Sequence, residues 1–491
     1  MNTPVRRIAI AVMAMIVLLL ANLTYVQVVQ ASSLRTDDRN KRVLLAEYAR
    51  KRGQISAGTQ IVASSTETDD RLRYQRQYPK GPVFAAITGY YSPNHGSSGL
   101  EAAAEDILNG SDDRLFGRRL SDLITGRDPA GANVVLTVDP DVQQTAYDQL
   151  SAKDYKGSVV ALDPRTGAVL AMVSTPAYDP TDLATHDPAK ENSAWQSLTS
   201  AKPPVLNNRA ISERYFPGST FKLIDTAAAL ASGRYTPDSQ LTAAAHLTLA
   251  NGRTDLENYN GNACGTGATA SLRDALQRSC NTAFAQLAGE LGLDPIKQQA
   301  EALGVGTQKI QLPMTVADST LGQISDTTEL QQSSIGQRSV AFTPMQNAMI
   351  AATIANGGRL MKPYLIKEIQ APDLTPVETA DPDQLGQAMS PSVAATLNEL
   401  MVNNERSYAG AGKIQGVDIA AKTGTAELGS KNIAPHVWYV AFAPAENPTV
   451  AVAVLVESEG DGGDLAATGG KVAAPIGRAV IKKALEKAAG G

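Results

Sequence analysis

Histidine, cysteine and aromatic residues are scarce in this chain of 491 residues, and each shortage excludes a class of function. The four histidines are scattered along the chain, at His95, His186, His246 and His436. None of them has a carboxylate or a cysteine at ligand spacing, which argues against a metal site and against a Ser-His-Asp triad. Aromatic residues make up only 5% of the sequence, and without a stripe of basic and aromatic side chains no nucleic-acid partner is expected. The sequence predicts neither a metal nor another cofactor.

Charge of either sign is also modest, because 44 basic and 49 acidic residues leave a net charge of −5. Such a balance implies no polyanionic partner. Hydrophobic residues make up 43% of the chain, which is enough for a substantial core, and the length predicts two or three domains. The two cysteines, Cys264 and Cys280, would be buried thiols in a reducing compartment and a candidate disulfide in an oxidising one.

One long apolar run lies near the N-terminus, over residues 8–29, with Arg6 and Arg7 before it. Its length suits a membrane span. A cleaved signal peptide is the alternative, because residues 29–31 resemble a small-residue cleavage site, but the length of the run favours an uncleaved anchor. We therefore predict a cytoplasmic stub and transmembrane anchor over residues 1–31. The protein would then be a single-pass protein of the cell membrane, with its large body outside the cytoplasm.

Residues 32–140 are polar and mixed in character, and no catalytic grouping is visible in them. Two short apolar runs, Gln60–Ala63 and Pro82–Ile87, are typical of strands. A third predicted strand, over residues 133–138, precedes an Asp-Pro pair that predicts a helix start. We place a domain boundary there and interpret residues 32–140 as a β-rich spacer or docking domain, of the pedestal or dimerisation type.

Residues 141–491 begin and end with strands and carry helical patterns between them, which predicts an α+β domain. The predicted strands are residues 158–162, 168–174, 420–426, 437–443 and 449–457. The predicted helices are residues 272–291, 294–303, 343–356 and 473–488. Because the strands lie at the two ends of the segment, we expect one sheet built from distant parts of the chain, with a helical lobe inserted between them.

The segment Phe216–Lys222 contains the first candidate catalytic motif, S-x-x-K. A Pro-Gly pair breaks the preceding structure, and the apolar run after Lys222 predicts a helix that begins near Ser219. Ser219 and Lys222 are three residues apart and share one face of this helix. A neutral lysine beside a hydroxyl can take its proton, which makes Ser219 a candidate nucleophile and Lys222 its base. A helix cap followed by a surface lysine is the alternative for this motif taken alone.

The second motif is the triplet Ser279-Cys280-Asn281, which lies on a predicted helical stretch between the first motif and the third. Ser279 could relay a proton, and Asn281 could hydrogen-bond a substrate amide. The pattern S-x-N also occurs elsewhere in the chain, and a helix cap explains it equally well. It therefore gains weight only from the other two motifs.

The third motif is Lys422-Thr423-Gly424-Thr425, on a predicted strand, and the K-T-G triplet occurs nowhere else in the chain. Gly424 would let a substrate backbone approach and pair with the strand edge. Lys422 and Thr425 could bind a carboxylate. Strict alternation puts positions 422 and 425 on opposite faces of the strand, so both can line one cleft only at a strand edge.

In the order S-x-x-K, S-x-N and K-T-G-T, the three motifs resemble those of the penicillin-binding proteins, which are acyl-serine D,D-transpeptidases. The full length resembles the class B, monofunctional type, and most closely the actinobacterial penicillin-binding protein A group. Residues 98–101 (SGLE), 136–139 (LTVD) and 343–346 (TPMQ) resemble segments of that family as well. One stretch departs from it, because residues 336–338 read Gly-Gln-Arg where the family usually has Gly-Gln-Gly.

The resemblance implies a penicillin-binding, serine β-lactamase-like fold, with an antiparallel sheet flanked by helices plus a helical lobe. It implies that peptidoglycan stem peptides and β-lactams acylate Ser219, that Lys222, Ser279 and Asn281 are also catalytic, and that residues 422–425 bind substrate. An extracytoplasmic domain would let the two cysteines form a disulfide across a loop of about 17 residues. The implied setting is cell-wall synthesis and cell division, with cell-division or glycosyltransferase proteins as partners.

Three other functions stay open. A serine β-lactamase shares the fold but would need an efficient deacylating water, and the anchor and the extra domain argue against it. A D,D-carboxypeptidase differs only in using water as the acyl acceptor. A non-catalytic β-lactam sensor or division scaffold predicts that the change Ser219→Ala leaves cellular function intact.

Overall fold

The computed structural model describes residues 2–30, 48–126, 130–306, 310–408, 413–428, 433–458 and 467–490. The predicted border between residues 31 and 32 lies outside these ranges. The α-helices are, in chain order, α1 Asn2–Thr24, α2 Gly81–Thr88, α3 Gly99–Ala103, α4 Glu105–Leu108, α5 Phe116–Thr125, α6 Pro140–Ser151, α7 Pro188–Ser200, α8 Lys222–Ala231, α9 Leu272–Arg278, α10 Asn281–Leu291, α11 Leu293–Ala302, α12 Thr327–Ser333, α13 Pro344–Ala355, α14 Pro391–Tyr408 and α15 Ala473–Gly490. The β-strands are β1 Ile55–Ala57, β2 Gln60–Glu67, β3 Tyr74–Gln77, β4 Tyr91–Ser92, β5 Gly96–Ser97, β6 Asn133–Leu136, β7 Gly157–Leu162, β8 Val169–Thr175, β9 Gln240–Thr242, β10 His246–Thr248, β11 Asp255–Glu257, β12 Thr269–Ser271, β13 Arg359–Met361, β14 Ile366–Gln370, β15 Pro376–Thr379, β16 Gln384–Gln387, β17 Ala420–Ala426, β18 His436–Ala443 and β19 Val450–Val456.

Helix α1 continues through a π-helical turn, Tyr25–Val29, and its apolar side chains are exposed along its length. Within the described residues, Thr3–Val29 is the one helix that is long and apolar enough to cross a membrane. A helix of this length extends over about 40 Å, which exceeds the roughly 30 Å of the hydrocarbon core. The predicted apolar segment, residues 8–29, falls within this helix.

The N-terminal domain is built on a six-stranded sheet in the order β15-β14-β6-β1-β2-β3. Strand β1 pairs with β6 in parallel, and the other neighbours are antiparallel. Strands β14 and β15 come from residues 366–379. A segment that follows the helical lobe in sequence therefore completes this sheet.

A buried ion cluster ties α3 to the sheet of this domain. The Glu101 carboxylate accepts from Nε of Arg52 and from Nε of Arg76, each at 2.6 Å. Tyr78 donates to the same carboxylate at 3.2 Å. All four side chains are buried. Burial by itself would raise the pKa of Glu101, but the two guanidinium groups outweigh it and hold the pKa below its usual value.

The run Pro82–Ile87, predicted above as a strand, forms most of helix α2, and that prediction is wrong. Pro82 lies in the first turn of α2, where its missing N–H would have no partner and its fixed φ suits a helix. Val83 and Phe84 are both buried, and a continuous apolar run has no alternation by which a strand can be told from a buried helix. The other predicted strand, Gln60–Ala63, lies within β2 and is confirmed.

The second domain has a five-stranded antiparallel sheet in the order β17-β18-β19-β7-β8. Its strands come from the two ends of residues 141–491, as predicted. One face packs on α6 and α15, which contribute Leu150 and Val480 to the core on that side. The other face packs on the helical lobe, where α8 and α13 contribute Ile224 and Met345. Strand β17 lies at one edge of this sheet.

The stretch 272–291, predicted as continuous helix, is divided into α9 and α10. The break falls at Ser279, whose backbone is left-handed with a φ of +60°, and at Cys280, which is extended. Left-handed residues end helices, but glycine usually occupies that position, so a serine carried no sequence signal for the break. The S-x-N triplet therefore lies at a junction between two helices rather than within one.

Candidate active site

The turn that carries Ser219 is held against strand β17 by close glycine contacts. Ser219 lies in a short 3-10 helix, Gly218–Thr220, that leads directly into α8. Gly218 has a φ of +53°, and a Cβ atom there would lie 2.6 Å from the carbonyl oxygen of Thr425. Its N–H donates to the carbonyl of Gly336 at 3.0 Å, and a Cβ on Gly336 would overlap Gly218. Glycine is the residue that permits this approach.

Lys222, at the start of α8, points its amine at three fixed oxygen atoms. Its Nζ lies 3.1 Å from Ser219 Oγ, and 2.8 Å from both the backbone oxygen of Ser279 and Oδ1 of Asn281. The orientation of Asn281 is fixed by its Nδ2, which donates to the Glu257 carbonyl at 3.0 Å. A neutral amine has two N–H donors for the two carbonyl acceptors, and its one lone pair is left facing the Ser219 hydroxyl.

Burial and a second lysine keep this amine neutral. Lys222 is fully buried, and burial lowers its pKa well below the usual value; the nearby Lys422 charge lowers the pKa further, while Asp225 acts in the opposite direction. The ring centroid of Phe284 lies 5.4 Å from Nζ. An aromatic face at that distance stabilises the ammonium that forms when the amine accepts a proton.

Ser279 connects the two lysines. Its Oγ accepts from Lys422 Nζ at 2.9 Å and lies 3.4 Å from Lys222 Nζ. Its left-handed backbone at the helix junction brings both its carbonyl and its hydroxyl to this position. A hydroxyl placed between two amines can pass a proton from one to the other, because it is both a donor and an acceptor.

Residues 422–425 lie on β17, which pairs with β18 without a bulge. Alternation therefore puts positions 422 and 424 on one face of the strand and positions 423 and 425 on the other. What the four residues share is the edge of the sheet, and the Ser219 turn lies against it. A Cβ atom on Gly424 would lie 2.9 Å from the carbonyl oxygen of Pro217.

Lys422 is the second buried amine of the site. Its Nζ donates to Ser279 Oγ and, at 3.0 Å, to the carbonyl of Thr423. Burial lowers its pKa to about 7. The amine is therefore close to half protonated at neutral pH, and an arriving carboxylate would both bind the ammonium form and raise its pKa.

A disulfide joins Cys264 to Cys280, with a Cα–Cα distance of 5.8 Å. Cys280 immediately precedes α10 and is the middle residue of the S-x-N triplet. Cys264 lies between β11 and β12, and both side chains are buried. The bond therefore tethers this loop to the helix junction that carries Ser279 and Asn281.

Asp225 is a residue beside the site that the sequence analysis missed. It lies three residues after Lys222 on α8 and is fully buried, and neither carboxyl oxygen has a hydrogen-bond partner among the described residues. Burial raises its pKa well above the usual value, which the Lys222 charge opposes. An acidic residue in the first turn of a helix is a common surface feature, so nothing in the sequence marks this one as buried.

Arg338, which stands where the family usually has glycine, lies two residues after Gly336, the residue that contacts the Ser219 turn. Its backbone is left-handed, with a φ of +67°, a conformation that glycine adopts at no steric cost. Its guanidinium pairs with Glu329 and donates to Oε1 of Gln332 at 2.8 Å. These two contacts to α12 offset part of the strain of a left-handed arginine, which amounts to about 1–2 kcal/mol.

The side chains that meet around Ser219 are two hydroxyls, two amines and an amide, and together they suit acyl transfer through a serine ester. In the ranges that the structure describes, no group of three or more His, Cys, Asp or Glu side chains is arranged to hold a metal ion.

Comparison with known proteins identifies the class of this site. Residues 157–482 match the penicillin-binding protein transpeptidase domain, and residues 52–134 match the penicillin-binding protein A dimerisation domain. The first match covers well over half of the chain, which therefore belongs to the penicillin-binding protein transpeptidase family. The fold class predicted from the three motifs is confirmed.

Relatives of high identity cover almost the full chain. The peptidoglycan D,D-transpeptidase PbpA of Mycolicibacterium smegmatis is 54% identical over 493 residues, which is 99% of this chain and 100% of the relative. PbpA of Mycobacterium tuberculosis is 53% identical over 491 residues, which is 99% of both chains. The ceftriaxone acyl-enzyme complex of penicillin-binding protein A from M. tuberculosis has a TM-score of 0.88 at 52% identity, covering 90% of this chain and 100% of that chain. The predicted resemblance to the actinobacterial penicillin-binding protein A group is confirmed.

Proposed function

We propose that this chain is a peptidoglycan D,D-transpeptidase of the acyl-serine type, which cross-links stem peptides in cell-wall synthesis and is acylated by β-lactams. The main observation behind this proposal is the Lys222 amine, 3.1 Å from Ser219 Oγ, with two fixed carbonyl acceptors for its N–H groups. Relatives that match almost the full chain are named peptidoglycan D,D-transpeptidases, and one solved relative is a β-lactam acyl-enzyme.

In the first half-reaction, Ser219 Oγ attacks the penultimate D-alanyl carbonyl of a stem peptide while Lys222 takes the hydroxyl proton. The oxyanion lies between the N–H groups of Ser219 and Thr425. The C–N bond to the terminal D-alanine then breaks, and the proton passes from Lys222 through Ser279 Oγ to the departing amine. The products are an ester on Ser219 and free D-alanine.

In the second half-reaction, an amine of a neighbouring stem peptide attacks the ester. The attacking nitrogen loses a proton to Lys222, and the same proton returns to Ser219 Oγ as the ester bond breaks. The peptide lies extended along the edge of β17, whereas the space left by Gly424 is taken by the Pro217 carbonyl of the Ser219 turn. Lys422, Thr423 and Thr425 bind its carboxylate end, and Asn281 bonds to one of its amides.

Penicillin labelling of the full chain in detergent tests the nucleophile. We expect a stable adduct that maps to Ser219 by mass spectrometry and is absent in Ser219→Ala. The matched control is Ser232→Ala, at the C-terminal end of the same helix, which should be labelled like the wild type. An adduct that persists in Ser219→Ala would contradict the assignment.

The alternatives share the acyl-enzyme and differ in what removes the acyl group. A pentapeptide substrate with and without an acceptor amine separates them, because a transpeptidase forms the cross-linked product and a D,D-carboxypeptidase forms only the hydrolysed one. Rapid turnover of penicillin would indicate a β-lactamase. Growth of cells that carry only Ser219→Ala would indicate a sensor or scaffold.

We also propose that residues 1–31 anchor the protein by a single pass, that residues 32–140 form the pedestal domain, and that residues 141–491 form the transpeptidase domain outside the cytoplasm. The apolar helix Thr3–Val29 supports the anchor. Cell-division or glycosyltransferase proteins are the proposed partners. An alkaline phosphatase fused after the last residue should be active, since that reporter folds only outside the cytoplasm, and an inactive but stable fusion would contradict this topology.

A compartment outside the cytoplasm permits the disulfide between Cys264 and Cys280. Without reductant, the intact mass should be lower by two hydrogens than after reduction, and two free thiols before reduction would rule the bond out. Replacing both cysteines by serine should lower the free energy of unfolding by about 3 kcal/mol, the loop-closure contribution of a bridge this long. The helix junction that carries Ser279 would also be less constrained, and penicillin acylation should be slower.

A further inference from the structure

The chain that leads into the Ser219 turn is held by side chains from two strands of the five-stranded sheet. The hydroxyl of Tyr215 donates to Oε1 of Glu457 at 2.8 Å. The carbonyl of the next residue, Phe216, accepts from Nε1 of Trp438 at 2.9 Å. Trp438 lies on β18, and Glu457 immediately follows β19. Two hydrogen bonds therefore connect the segment before the nucleophile to the sheet.

Glu457 is held in turn by two basic side chains. Its Oε1 also accepts from Nε of Arg209 at 2.8 Å, and its Oε2 lies 3.4 Å from Nζ of Lys156. Burial and the Glu457 charge raise the pKa of the Tyr215 phenol above its usual value, so the phenol keeps its proton and stays the donor. Hydrogen bonds to a charged acceptor are stronger than bonds between neutral groups, which makes this contact a firm one.

Trp438 has no other way to satisfy its indole than through a fixed oxygen atom, because the ring carries one donor and no acceptor. Its side chain is fully buried, and its ring meets that of Tyr215 edge-on at 6.3 Å between centroids. On the sheet, Trp438 is the β18 partner of Gly424. The strand that pairs with the K-T-G-T segment thus also holds the Phe216 carbonyl.

The backbone of the same segment is bonded to a different part of the domain. Tyr215 and Phe342 exchange two hydrogen bonds, each at 2.9 Å, and the Gly218 N–H donates to Gly336. Both acceptor residues lie between α12 and α13, in the helical lobe. The backbone bonds therefore fix the segment to the lobe, while the two side-chain bonds fix it to the sheet.

The proposed oxyanion site needs both of these parts at once. One of its N–H groups belongs to Ser219, in the turn, and the other belongs to Thr425, on β17. Thr425 pairs with Val437, the residue before Trp438 on β18. The distance between the two N–H groups consequently depends on how the turn is seated on the sheet. Donors of this kind stabilise a transition state only when they lie within about 0.5 Å of the productive geometry.

We propose that Tyr215, Trp438 and Glu457 are positioning residues of the acylation reaction, which hold the N–H of Ser219 in register with the N–H of Thr425. They act through the turn and the sheet. Because the oxyanion exists only after the attack, the two side-chain bonds assist the acylation step and not the binding of the intact β-lactam. This inference rests on the acyl-serine chemistry proposed above.

Two substitutions each remove one donor and keep an aromatic ring in place, namely Tyr215→Phe and Trp438→Phe. The matched controls are Tyr235→Phe, whose hydroxyl donates to Glu290 at 2.9 Å, and Trp195→Phe, at the other of the two tryptophans in the chain. Stopped-flow acylation of the full-length protein in detergent separates the acylation rate constant from the dissociation constant of the non-covalent penicillin complex. Thermal unfolding shows that each variant is folded.

We expect the acylation rate constant to fall by about tenfold in Tyr215→Phe and in Trp438→Phe, because a small displacement of one oxyanion donor costs less than its removal. The dissociation constant should stay within about twofold of the wild-type value, and the two controls should change neither quantity. An acylation rate constant within about twofold of the wild-type value in either folded variant would overturn the proposal. So would a loss of penicillin binding as large as the loss of rate, which indicates a general loosening of the site.

A boronic acid that carries the penicillin side chain tests the oxyanion site directly. Ser219 Oγ adds to the boron while its proton goes to Lys222, and one oxygen of the tetrahedral boronate occupies the oxyanion position. The affinity for this compound should fall by the same factor as the acylation rate constant. A fall in rate with unchanged boronate affinity would mean that the two bonds act on another step, and would overturn the proposal. Failure of the proposed function itself is distinguishable, since the wild-type protein would then form no adduct at Ser219.

Discussion

Two of the groups of ionisable side chains that the protein buries treat charge in opposite ways. In the N-terminal domain, Glu101 lies between Arg52 and Arg76, with both ion pairs at 2.6 Å. In the active site, Lys222 and Lys422 are just as deeply buried, but every hydrogen bond described for their amines goes to a neutral oxygen atom.

The pKa values diverge accordingly. Burial alone would raise the pKa of Glu101, yet the attraction of Arg76 and Arg52 outweighs it and the pKa is lowered. Burial lowers the pKa of both lysines, that of Lys422 to about 7. A buried charge that has its counter-charge stays charged and holds the structure together, whereas a buried amine without one becomes a usable base at neutral pH.

The largest effect is expected from Lys222→Met, which removes the proposed base. Acylation of Ser219 by penicillin should fall by about 1,000-fold, within the range that a general base contributes. The unfolding temperature should change little, because the loss of two hydrogen bonds is offset by the removal of a buried amine. Stopped-flow acylation and calorimetry measure the two quantities.

The control for this variant is Lys190→Met, at a lysine that is exposed, and it should change neither quantity. If Lys222→Met still acylated within about tenfold of the wild-type rate, another group would be taking the proton. The burial of Lys222 would then not serve to make a base, and the contrast with the Glu101 cluster would not hold.

Next in size is Glu101→Gln, which leaves two buried guanidinium groups facing a neutral amide. We expect the free energy of unfolding to fall by about 3–5 kcal/mol, with the acylation rate of the folded protein unchanged. Because the pKa of Glu101 is lowered in the folded state, the wild-type advantage is complete above about pH 5 and shrinks as the pH falls. Urea unfolding at neutral and acidic pH measures this difference. If the free energy of unfolding lost in Glu101→Gln did not depend on pH, packing rather than the charge of Glu101 would stabilise the cluster.

A smaller effect is expected from the titration of Lys422. With a pKa of about 7, its ammonium is present below pH 7 and is lost above it. The second-order acylation rate of a penicillin that bears a carboxylate, divided by the rate of its methyl ester, should fall by about fivefold between pH 7 and pH 8. The division cancels the titration of Lys222, which acts on both compounds. If this ratio of rates stays constant with pH, the ammonium group of Lys422 does not bind the carboxylate.

The smallest effect is expected from Tyr78→Phe, which removes the long hydrogen bond, 3.2 Å, from the uncharged Tyr78 hydroxyl to the Glu101 carboxylate and leaves both ion pairs. The free energy of unfolding should fall by about 1 kcal/mol, with the wild-type dependence on pH. Chemical denaturation measures it beside Glu101→Gln. A loss as large as that of Glu101→Gln would show that the hydroxyl, rather than the arginines, satisfies the carboxylate.

Local patterns were sufficient for most of the second domain and failed where distant contacts decide. The strands of its sheet are apolar runs ended by turn residues such as Asp163–Gly167, and α6 begins at the Asp-Pro pair that predicted it. No local pattern predicts that β14 pairs with β6. The alternation of residues along a strand does not identify a partner strand that lies more than 200 residues away in sequence. The run Pro82–Ile87 failed because a helix buried on several sides is apolar without alternation.

The motifs were sufficient to name the residues that the structure brings within hydrogen-bond distance of Lys222, because each motif has a fixed spacing. The spacing does not predict the protonation state of the Lys222 amine, because that depends on its burial and on the charge of Lys422. The left-handed backbone of Ser279 and the burial of Asp225 also have no local signal, since a serine and a first-turn acid are ordinary residues at those places.

The position of β17 at the end of its sheet has a consequence for the solubility of the protein. A free strand edge attracts any extended chain, including the same strand of another molecule, and such pairing can propagate into fibres. The turn around Gly218 lies against this edge at Thr425 and Ala426, so the protein's own chain covers that part of the strand. At the covered positions, the backbone N–H and C=O groups of β17 are therefore kept from pairing with the same strand of a second molecule.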